Sequence, residues 1–380
     1  MTSIVAANFA RFGKREDDIF SLSREAALPI TRKFGKDVDF VIVSNSYSGE
    51  FNEISGLNNL ITTHLSMDSV PSVRVDNTSG SGGSAVLLAK ALIDSGEAER
   101  VMVLGVEKMT GYPTKNSTRI IASLLPPEER SGGLSLPSLA AFMTRAYMKE
   151  FSPSRESIAG VAVKNHHNGS LNPYAHFQSE VTLDKVMNSR VIADPLRIFE
   201  FCPVSDGAVS LLLASDSESE SYTNKPVRLL ATGSASGTSS ITFRNSLVSI
   251  DAVKEASARA FRKASLTPED VNIAELHDMA SILEIVESED AGFFRKGEGW
   301  KALETGETEI GGVMPINTSG GLNSKGHPIG ASGVAQSAEI YFQLSGQAGR
   351  RQVKNPEIGF SLSMAGFGNN ATAILYGVVP

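Results

Sequence analysis

The chain has 380 residues, of which 41% are hydrophobic and 20% are charged, a composition typical of a globular protein large enough for two or three cores. Its formal net charge of -7 argues against a nucleic acid as the main partner, because nucleic-acid binding calls for a basic face. We find no apolar run of roughly 18 residues or more and no signal-peptide core, so we expect no membrane partner and a cytoplasmic location. The single cysteine, Cys202, excludes an internal disulfide and a cysteine-based metal cluster.

The first part of the chain alternates between apolar β-branched runs and amphipathic stretches. The predicted strands are Ser3–Phe9, Val38–Ser44, Ser72–Asp76 and Arg100–Val106, and the predicted helices are Ser21–Phe34, Glu53–Leu65 and a helix that opens at the Ser79 bend and closes at Ser95-Gly96. Alternation of this kind predicts an α/β fold with a mostly parallel sheet and helices on its faces.

The middle of the chain differs in composition. Gly111–Leu136 is rich in Pro, Ser, Gly and Thr, which predicts an inserted cap over a site and little regular structure. Two helices, Leu139–Phe151 and Arg155–Asn165, are predicted within the same insertion. The polar run Asp216–Ser221 is interpreted as a solvated linker.

The last part of the chain returns to strands and helices. The predicted strands are Ala208–Ala214, Val227–Ala231, Ile273–Leu276, Glu357–Ser363 and Ala371–Val378, and the predicted helices are Ile250–Ser265, Met279–Gly292 and one that follows the Gly326–Gly333 segment and runs to Leu344. The tetrapeptide Asn-Thr-Ser-Gly occurs at positions 77–80 and again at 317–320, each time before a helix opened by Gly and Ser. This repetition predicts an internal duplication of two α/β halves.

Ser79 occupies a glycine-rich bend between an extended run and a helix. A helix that starts in this way directs free N–H groups and the positive end of its dipole at the bend, which suits a nucleophile or an acyl oxygen. A tight strand-to-helix turn would need the same small residues for steric reasons alone, so the bend by itself leaves both interpretations open.

A series of motifs extends over essentially the whole chain. They are Asn77–Gly83, Gly105–Thr110, Pro203–Ala208, His277-Asp278 and Gly326–Gly333, together with Asn165–Asn168 and Leu171–Ala175. The set resembles the thiolase superfamily, and within it the branch of the sterol-carrier-protein-2-type and archaeal thiolases. This resemblance implies the duplicated, five-layered α-β-α-β-α fold. Residues 1–112 and 195–222 would form the N-terminal half, 113–194 an inserted loop domain, and 223–380 the C-terminal half.

The resemblance also implies a chemistry and a set of partners. The reaction is acyl transfer between coenzyme A thioesters, by Claisen condensation or its reverse, as in lipid metabolism. An acyl-CoA is then the substrate, with no bound cofactor and no metal. Thiolases of this kind form homodimers or homotetramers, and archaeal relatives often work with a small partner that carries an OB-fold and a zinc ribbon.

Four positions match catalytic residues of the family. His327 falls on the histidine that activates the nucleophile and helps to bind the thioester oxygen, and His277 falls on a residue of an oxyanion hole. The backbone N–H groups of Ser79 and Gly366 would form the second oxyanion hole. The nucleophilic cysteine of the family is replaced by Ser79, and its second reactive cysteine aligns with Met364.

These two replacements change what the site can do. A serine hydroxyl is a far weaker acid than a thiol and needs an aligned base such as His327, and the methionine thioether can neither take nor give a proton. Three functions therefore remain open: a modified or impaired acyltransferase, a non-catalytic acyl-CoA-binding homologue or complex subunit, and a Ser/His acyl-CoA hydrolase.

Other polar residues are given structural interpretations. Cys202 is interpreted as a small buried hydrophobe, Glu107 and Lys108 as cleft residues or an ion pair, and His64 and His176 as surface or capping groups. Adjacent His166 and His167 do not have the spacing of a metal-binding pair. The residues that contact coenzyme A cannot be assigned from the sequence.

Overall fold

The computed structural model describes residues 1–378; residues 379–380, which belong to the predicted C-terminal half, lie outside the described part. The strands are β1 (Thr2–Gly13), β2 (Phe40–Ser44), β3 (Ser72–Val75), β4 (Arg100–Glu107), β5 (Val191–Ala193), β6 (Leu196–Arg197), β7 (Asp206–Ser215), β8 (Val227–Ser236), β9 (Ile273–Glu275), β10 (Ile358–Ala365) and β11 (Asn370–Val378). The helices are α1 (Ile19–Phe34), α2 (Ser48–Asn52), α3 (Leu57–His64), α4 (Ser81–Asp94), α5 (Thr114–Ile121), α6 (Pro127–Ser131), α7 (Leu136–Phe151), α8 (Arg155–Ser170), α9 (Leu183–Met187), α10 (Asp216–Tyr222), α11 (Asp251–Ala264), α12 (Ser281–Asp290), α13 (Gly299–Glu304) and α14 (Ile329–Leu344), with a π-helical turn at Gly321–Lys325. Within residues 1–378 none of the helices has the length and apolarity needed to cross a bilayer.

The main sheet contains the same strand arrangement twice. Its order is β3-β2-β4-β7-β1-β8-β11-β10-β9. In the first half β1 pairs antiparallel with β7, β7 antiparallel with β4, and β4 parallel with β2. In the second half β8, β11, β10 and β9 pair in the same sequence and with the same directions. This repetition confirms the predicted internal duplication. The prediction of a mostly parallel sheet is wrong, because antiparallel pairings outnumber the parallel ones in the main sheet.

Helices separate the two halves and cover their outer faces. Helices α4 and α14 pack on each other and lie between the two halves of the sheet, in contact with β4 and β10. Helix α1 covers β1 and β7, whereas α11 covers β8 and β11 on the opposite side. Buried apolar clusters fill each of these interfaces. The five layers agree with the predicted α-β-α-β-α fold.

The two central helices approach closely because one contact position is a glycine. A Cβ atom on Gly82 would lie only 2.4 Å from the backbone nitrogen of Val334 and 2.6 Å from Cα of Gly333. Both atoms belong to the backbone of α14, so they cannot avoid the added Cβ by a change of rotamer as a side chain could. The spacing of these two helices within the central layer therefore depends on Gly82.

We expect Gly82→Ala to lower the free energy of unfolding by about 1–3 kcal/mol, because the added methyl group forces two packed helices apart. Gly49→Ala is the matched control, since Gly49 lies in α2 and a Cβ there meets nothing within 4 Å. The control should change stability by no more than about 1 kcal/mol. Urea denaturation of both variants checks this, and equal midpoints would contradict the packing argument.

The predicted helix Glu53–Leu65 begins four residues too early, and the short helix α2 before it was not predicted. Helix α2 ends at Asn52, and α3 begins only at Leu57. Between them Glu53 and Gly56 adopt left-handed backbone conformations, with φ of 58° and 63°. A left-handed residue ends a right-handed helix, and the apolar spacing of this segment did not reveal the interruption.

Two segments predicted as irregular contain helices. Gly111–Leu136 includes α5 and α6, and α6 begins with Pro127 at its first position, where the missing N–H of proline has no cost. The supposed linker Asp216–Ser221 is helix α10, and Asp216 in its first turn faces the positive end of the helix dipole. The other predicted strands and helices are confirmed, with ends shifted by a few residues.

Candidate active site

The predicted site residues lie on loops where helices α4 and α14 begin and where β9 ends. Ser79 follows β3 and precedes α4, and His277 follows β9. His327 precedes α14 and follows a segment in which Ile316 pairs in parallel with Ala274 of β9. Because α4 and α14 touch near their first turns, at Gly82 and Gly333, the loops that carry Ser79 and His327 lie in one region of the fold.

Ser79 lies in the bend before α4 and is 2% exposed. Its carbonyl oxygen accepts a hydrogen bond from Ser363 Oγ at 3.4 Å. A Cβ atom on the next residue, Gly80, would lie 3.2 Å from the backbone nitrogen of Ala365. Ala365 precedes Gly366 in the turn between β10 and β11, so the structure brings Ser79 and Gly366 together.

His327 is held by hydrogen bonds on two sides and is 6% exposed. Its backbone N–H donates to Ser205 Oγ at 3.2 Å, and its Nδ1 lies 2.7 Å from Ser332 Oγ. The Ser332 hydroxyl also donates to the carbonyl oxygen of Pro328 at 2.9 Å. Because that hydroxyl has a single proton, the arrangement favours Nδ1–H as donor to Ser332. The lone pair of His327 is then on Nε2, where it can accept a proton.

His277 packs edge-on against His327, with ring centroids 5.1 Å apart and an interplanar angle of 85°. The side chain is fully buried, and neither ring nitrogen has a hydrogen-bond partner within residues 1–378. Its backbone N–H donates to Glu287 Oε2 at 2.7 Å, which fixes the loop after β9. A buried imidazole with two free nitrogens is placed to bind a polar atom of a ligand.

Both histidines are neutral at pH 7. Burial, together with the nearby charge of Lys325, lowers the pKa of His327 to about 3. Burial also lowers the pKa of His277 well below its ordinary value, and His327 and Lys325 add to the effect. A neutral imidazole can donate a hydrogen bond from one nitrogen and accept a proton at the other, which are the two tasks of acyl-transfer catalysis.

A buried network beside the histidines was not predicted from the sequence. Lys325 Nζ donates to Ser319 Oγ at 2.8 Å and lies 3.3 Å from Glu275 Oε2. Ser319 donates to Glu275 from both its backbone N–H, at 3.0 Å, and its hydroxyl, at 2.5 Å. All three side chains are buried, and they fix a positive charge close to both histidines. Lys325 lies two residues before His327 in the sequence, and this proximity to a predicted site residue could have indicated a role for it.

Glu107 and Lys108 do not form an ion pair with each other. The buried carboxylate of Glu107 accepts hydrogen bonds from the backbone N–H groups of Ser46 at 3.0 Å and Gly330 at 2.8 Å, and burial raises its pKa to about 7. Lys108 instead pairs with Asp206 at 2.8 Å. Glu107 therefore ties the first turn of α14 to the loop after β2, and its role is structural.

Two further interpretations need correction. His176 is not an isolated surface group, since its Nδ1 lies 2.8 Å from Ser205 Oγ, the same atom that accepts from His327. Cys202 is partly rather than fully buried, and its backbone N–H donates to the carbonyl oxygen of Met279 at 2.8 Å. Burial raises the pKa of the Cys202 thiol, which keeps it protonated. Both residues lie close to the histidine loops.

The geometry connects the site residues in two pairs. His277 contacts His327, and the bend of Ser79 packs through Gly80 against Ala365, the residue before Gly366. No hydrogen bond joins the Ser79 hydroxyl to His327 in the described part of the chain. Helices α4 and α14, which begin just after Ser79 and His327, touch at Gly82 and Gly333. Across residues 1–378 no group of three or more His, Cys, Asp or Glu side chains is placed to hold a metal ion.

The neutral state of His327 has a consequence for stability. In the unfolded chain its pKa returns to about 6.5, so between pH 6.5 and 3 only the unfolded chain binds this proton and the folded state loses stability as the pH falls. We expect His327→Gln to reduce this loss by up to about 1.4 kcal/mol per pH unit. Urea unfolding of both proteins at several pH values below 6.5 checks this. A free-energy difference that is constant with pH would contradict it.

The chain belongs to the thiolase family. The family model of the thiolase N-terminal domain matches residues 2–217, and the model described as thiolase C-terminal domain-like matches residues 233–378. These matches confirm the superfamily predicted from the motifs.

Proteins with related sequences support the same assignment. An acetyl-CoA acetyltransferase of Methanothermobacter thermautotrophicus is 39% identical over 98% of both chains. Human sterol carrier protein 2 is 35% identical over 82% of this chain and 59% of that protein. The benzoylsuccinyl-CoA thiolase subunit BbsB of Thauera aromatica is 30% identical over 92% of this chain and 91% of its own length.

Solved structures confirm the fold. The Ltp2-ChsH2(DUF35) aldolase superposes with a TM-score of 0.85 over 99% of this chain and 97% of its own, at 23% identity. Human mitochondrial 3-ketoacyl-CoA thiolase superposes with a TM-score of 0.74 over 100% of this chain and 99% of its own, at 18% identity. The architecture is therefore the thiolase fold.

Proposed function

We propose that this protein transfers acyl groups between coenzyme A thioesters, with Ser79 as the residue that carries the acyl group. The observation that best supports this is the edge-on contact of two buried, neutral histidines, His277 and His327, beside the start of α14, which packs on the helix α4 that follows Ser79. Relatives that are named acetyl-CoA acetyltransferase support the same class of reaction.

In the first half-reaction the Ser79 hydroxyl attacks the thioester carbonyl. Nε2 of His327 takes the hydroxyl proton as the new C–O bond forms. An N–H group of His277, or the backbone N–H groups of Ser79 and Gly366, would stabilise the negative charge on the carbonyl oxygen. The C–S bond then breaks, and the coenzyme A sulfur leaves with the proton held by His327. The product is an oxygen ester on Ser79.

In the second half-reaction the acyl group passes from Ser79 to an acceptor. A condensation step needs a group that removes a proton from the acceptor, and Met364, fully buried in β10, cannot do so. His327 is then the base for both half-reactions. We therefore propose a slower turnover than that of a thiolase with two reactive cysteines.

Product analysis tests the proposed reaction. Acetoacetyl-CoA and free coenzyme A test the reaction in the cleavage direction: Ser79 attacks the 3-keto carbon, the C2–C3 bond breaks, and acetyl-CoA leaves with the proton held by His327. Coenzyme A then takes the acetyl group from Ser79, so two molecules of acetyl-CoA form, and chromatography of the thioesters measures their rate of appearance. Ser95→Ala, at the exposed end of α4, is the control variant for any effect of purification or of a serine substitution on folding. Release of free acetoacetate or acetate as the main product would contradict acyl transfer, and so would no consumption of the thioester.

We also propose that the protein works as a homodimer or homotetramer in the cytoplasm, with a small OB-fold and zinc-ribbon protein as a partner. Strand β3 lies at one edge of the main sheet, and an edge strand can pair with a second copy. The similar aldolase is named for two components, Ltp2 and ChsH2(DUF35), which supports a partner protein here. Light scattering after size-exclusion chromatography measures the oligomeric state, and a monomer would contradict the first part of this proposal.

A further inference from the structure

The segment that leads to His327 is paired along its backbone with residues of the inserted segment. The N–H of His176 donates to the carbonyl oxygen of Lys325 at 2.9 Å, and the N–H of Phe177 donates to that of Ser324 at 3.0 Å. The hydroxyl of Ser324 donates in return to the carbonyl oxygen of Phe177 at 3.1 Å. The backbone of His176 is thus held beside this segment by bonds that do not involve its side chain.

The side chain of His176 contacts a hydroxyl that also holds His327. Ser205 Oγ accepts a hydrogen bond from the backbone N–H of His327 at 3.2 Å and lies 2.8 Å from Nδ1 of His176. The Ser205 hydroxyl donates its own proton to the carbonyl oxygen of Pro203 at 3.3 Å. Because that proton is used, all three contacts are hydrogen bonds only if Nδ1–H of His176 donates to Ser205.

The imidazole of His176 is neutral at pH 7 and has one proton to donate. Burial lowers the pKa of His176, and the positive charges of Lys14 and Arg11 lower it further. The carboxylate of Asp206 acts in the opposite direction but does not reverse the shift. A neutral imidazole has a single N–H group, and the contact with Ser205 places it on Nδ1.

The backbone just before His327 is in direct contact with both of these side chains. A Cβ atom on Gly326 would lie 2.7 Å from Ser205 Oγ and 3.1 Å from Cβ of His176. Val204 pairs in parallel with His327, which brings the neighbouring Ser205 to the same backbone. A change in either side chain is therefore transmitted to the position of His327.

We propose that His176 and Ser205 are positioning residues, which set the place of His327 relative to the thioester. Nδ1–H of His176 orients the Ser205 hydroxyl, and this hydroxyl holds the backbone N–H of His327, while Ser332 holds the ring. A displacement of about 1 Å can lower a rate about 100-fold, so the position of a base matters as much as its identity. This inference rests on the proposed role of His327 as the base and adds the residues that position it.

Two substitutions at position 176 separate the hydrogen bond from simple packing. His176→Leu removes Nδ1–H, and we expect kcat for cleavage of acetoacetyl-CoA to fall about tenfold or more while KM changes by less than about threefold. His176→Asn places an amide N–H near the position of Nδ1 and should keep at least about half of the wild-type kcat. His167→Leu and His167→Asn, at an exposed histidine of α8, are the matched controls and should both retain the wild-type kcat.

Ser205→Ala removes the same hydrogen bond from its other end. Its kcat should fall at least as far as that of His176→Leu, and the double variant should be no more than about twofold slower than Ser205→Ala, because both residues act through one contact with His327. Losses that multiply in the double variant would overturn the inference. So would a wild-type kcat in His176→Leu, or an equal loss in His176→Leu and His176→Asn.

A measurement that needs no turnover separates this inference from the proposed function. The chain contains six histidines, so NMR signals of protein labelled with ¹⁵N at histidine can be assigned by substitution. We expect the ring nitrogen signals of His327 to shift or broaden in His176→Leu and to stay unchanged in His167→Leu. Unchanged His327 signals in His176→Leu would overturn the inference. A wild-type protein that consumes no thioester, but whose His327 signals respond in this way, would count against the proposed function alone.

Discussion

Replacing Ser79 with alanine should lower kcat for acyl transfer by about 1000-fold or more, because the covalent route through an acyl-enzyme is lost. The backbone N–H of residue 79 and the helix dipole of α4 remain in this variant, so thioester binding should persist. Steady-state kinetics with acetoacetyl-CoA and coenzyme A measure the change. A variant that keeps more than a tenth of the wild-type kcat would show that Ser79 is not the nucleophile.

Ser79→Cys replaces the hydroxyl group with a more reactive nucleophile, whereas Ser79→Ala removes the nucleophile. A thiol at a helix N-terminus and near a histidine ionises far more readily than a hydroxyl, and its thioester is a better acyl donor. We expect this variant to form the acyl-enzyme faster than the wild-type protein does. A rate equal to that of Ser79→Ala would mean that the pocket no longer supports the chemistry.

Replacing His327 with alanine should lower kcat by roughly 100- to 10,000-fold, the range for loss of a general base. The loss should be in kcat more than in KM, because Nε2 acts on the reacting hydroxyl and the thioester is bound mainly by other groups. The pH dependence of kcat/KM is the second readout.

Two variants serve as comparisons for His327→Ala. His64→Ala removes an exposed histidine that stacks on Phe20 at 4.2 Å, and it should not affect kcat. Ser332→Ala removes the partner of Nδ1 and should cause a smaller loss than His327→Ala, because the imidazole stays but its tautomer is less fixed. A Ser332→Ala variant as inactive as His327→Ala would contradict this division of roles.

Much of the fold could be predicted because the sequence marks its elements strongly. The strands around Val41 and Val103 are continuous apolar runs, and they are buried on both faces as such runs predict. The late start of α3 could not be predicted, since the turn before it depends on a left-handed backbone at Glu53, a residue type that rarely adopts it. Helix α10 was missed because its polar residues also fit a solvated loop.

The site was predictable where its residues lie in compact motifs. Ser79 and His327 each stand in a glycine-rich segment at the start of a helix, and the sequence indicates both. The role of Lys325 was missed, because its partner Glu275 is 50 positions away and only the fold brings the two together.

The intact mass of the protein after mixing with acetyl-CoA tests the central claim most directly. We predict a mass increase of one acetyl group in the wild-type protein. Peptide mass analysis should locate this group on the peptide that contains Ser79, and the increase should be absent from Ser79→Ala. An unmodified protein under conditions in which the thioester is consumed, or an acetyl group on another residue, would contradict it.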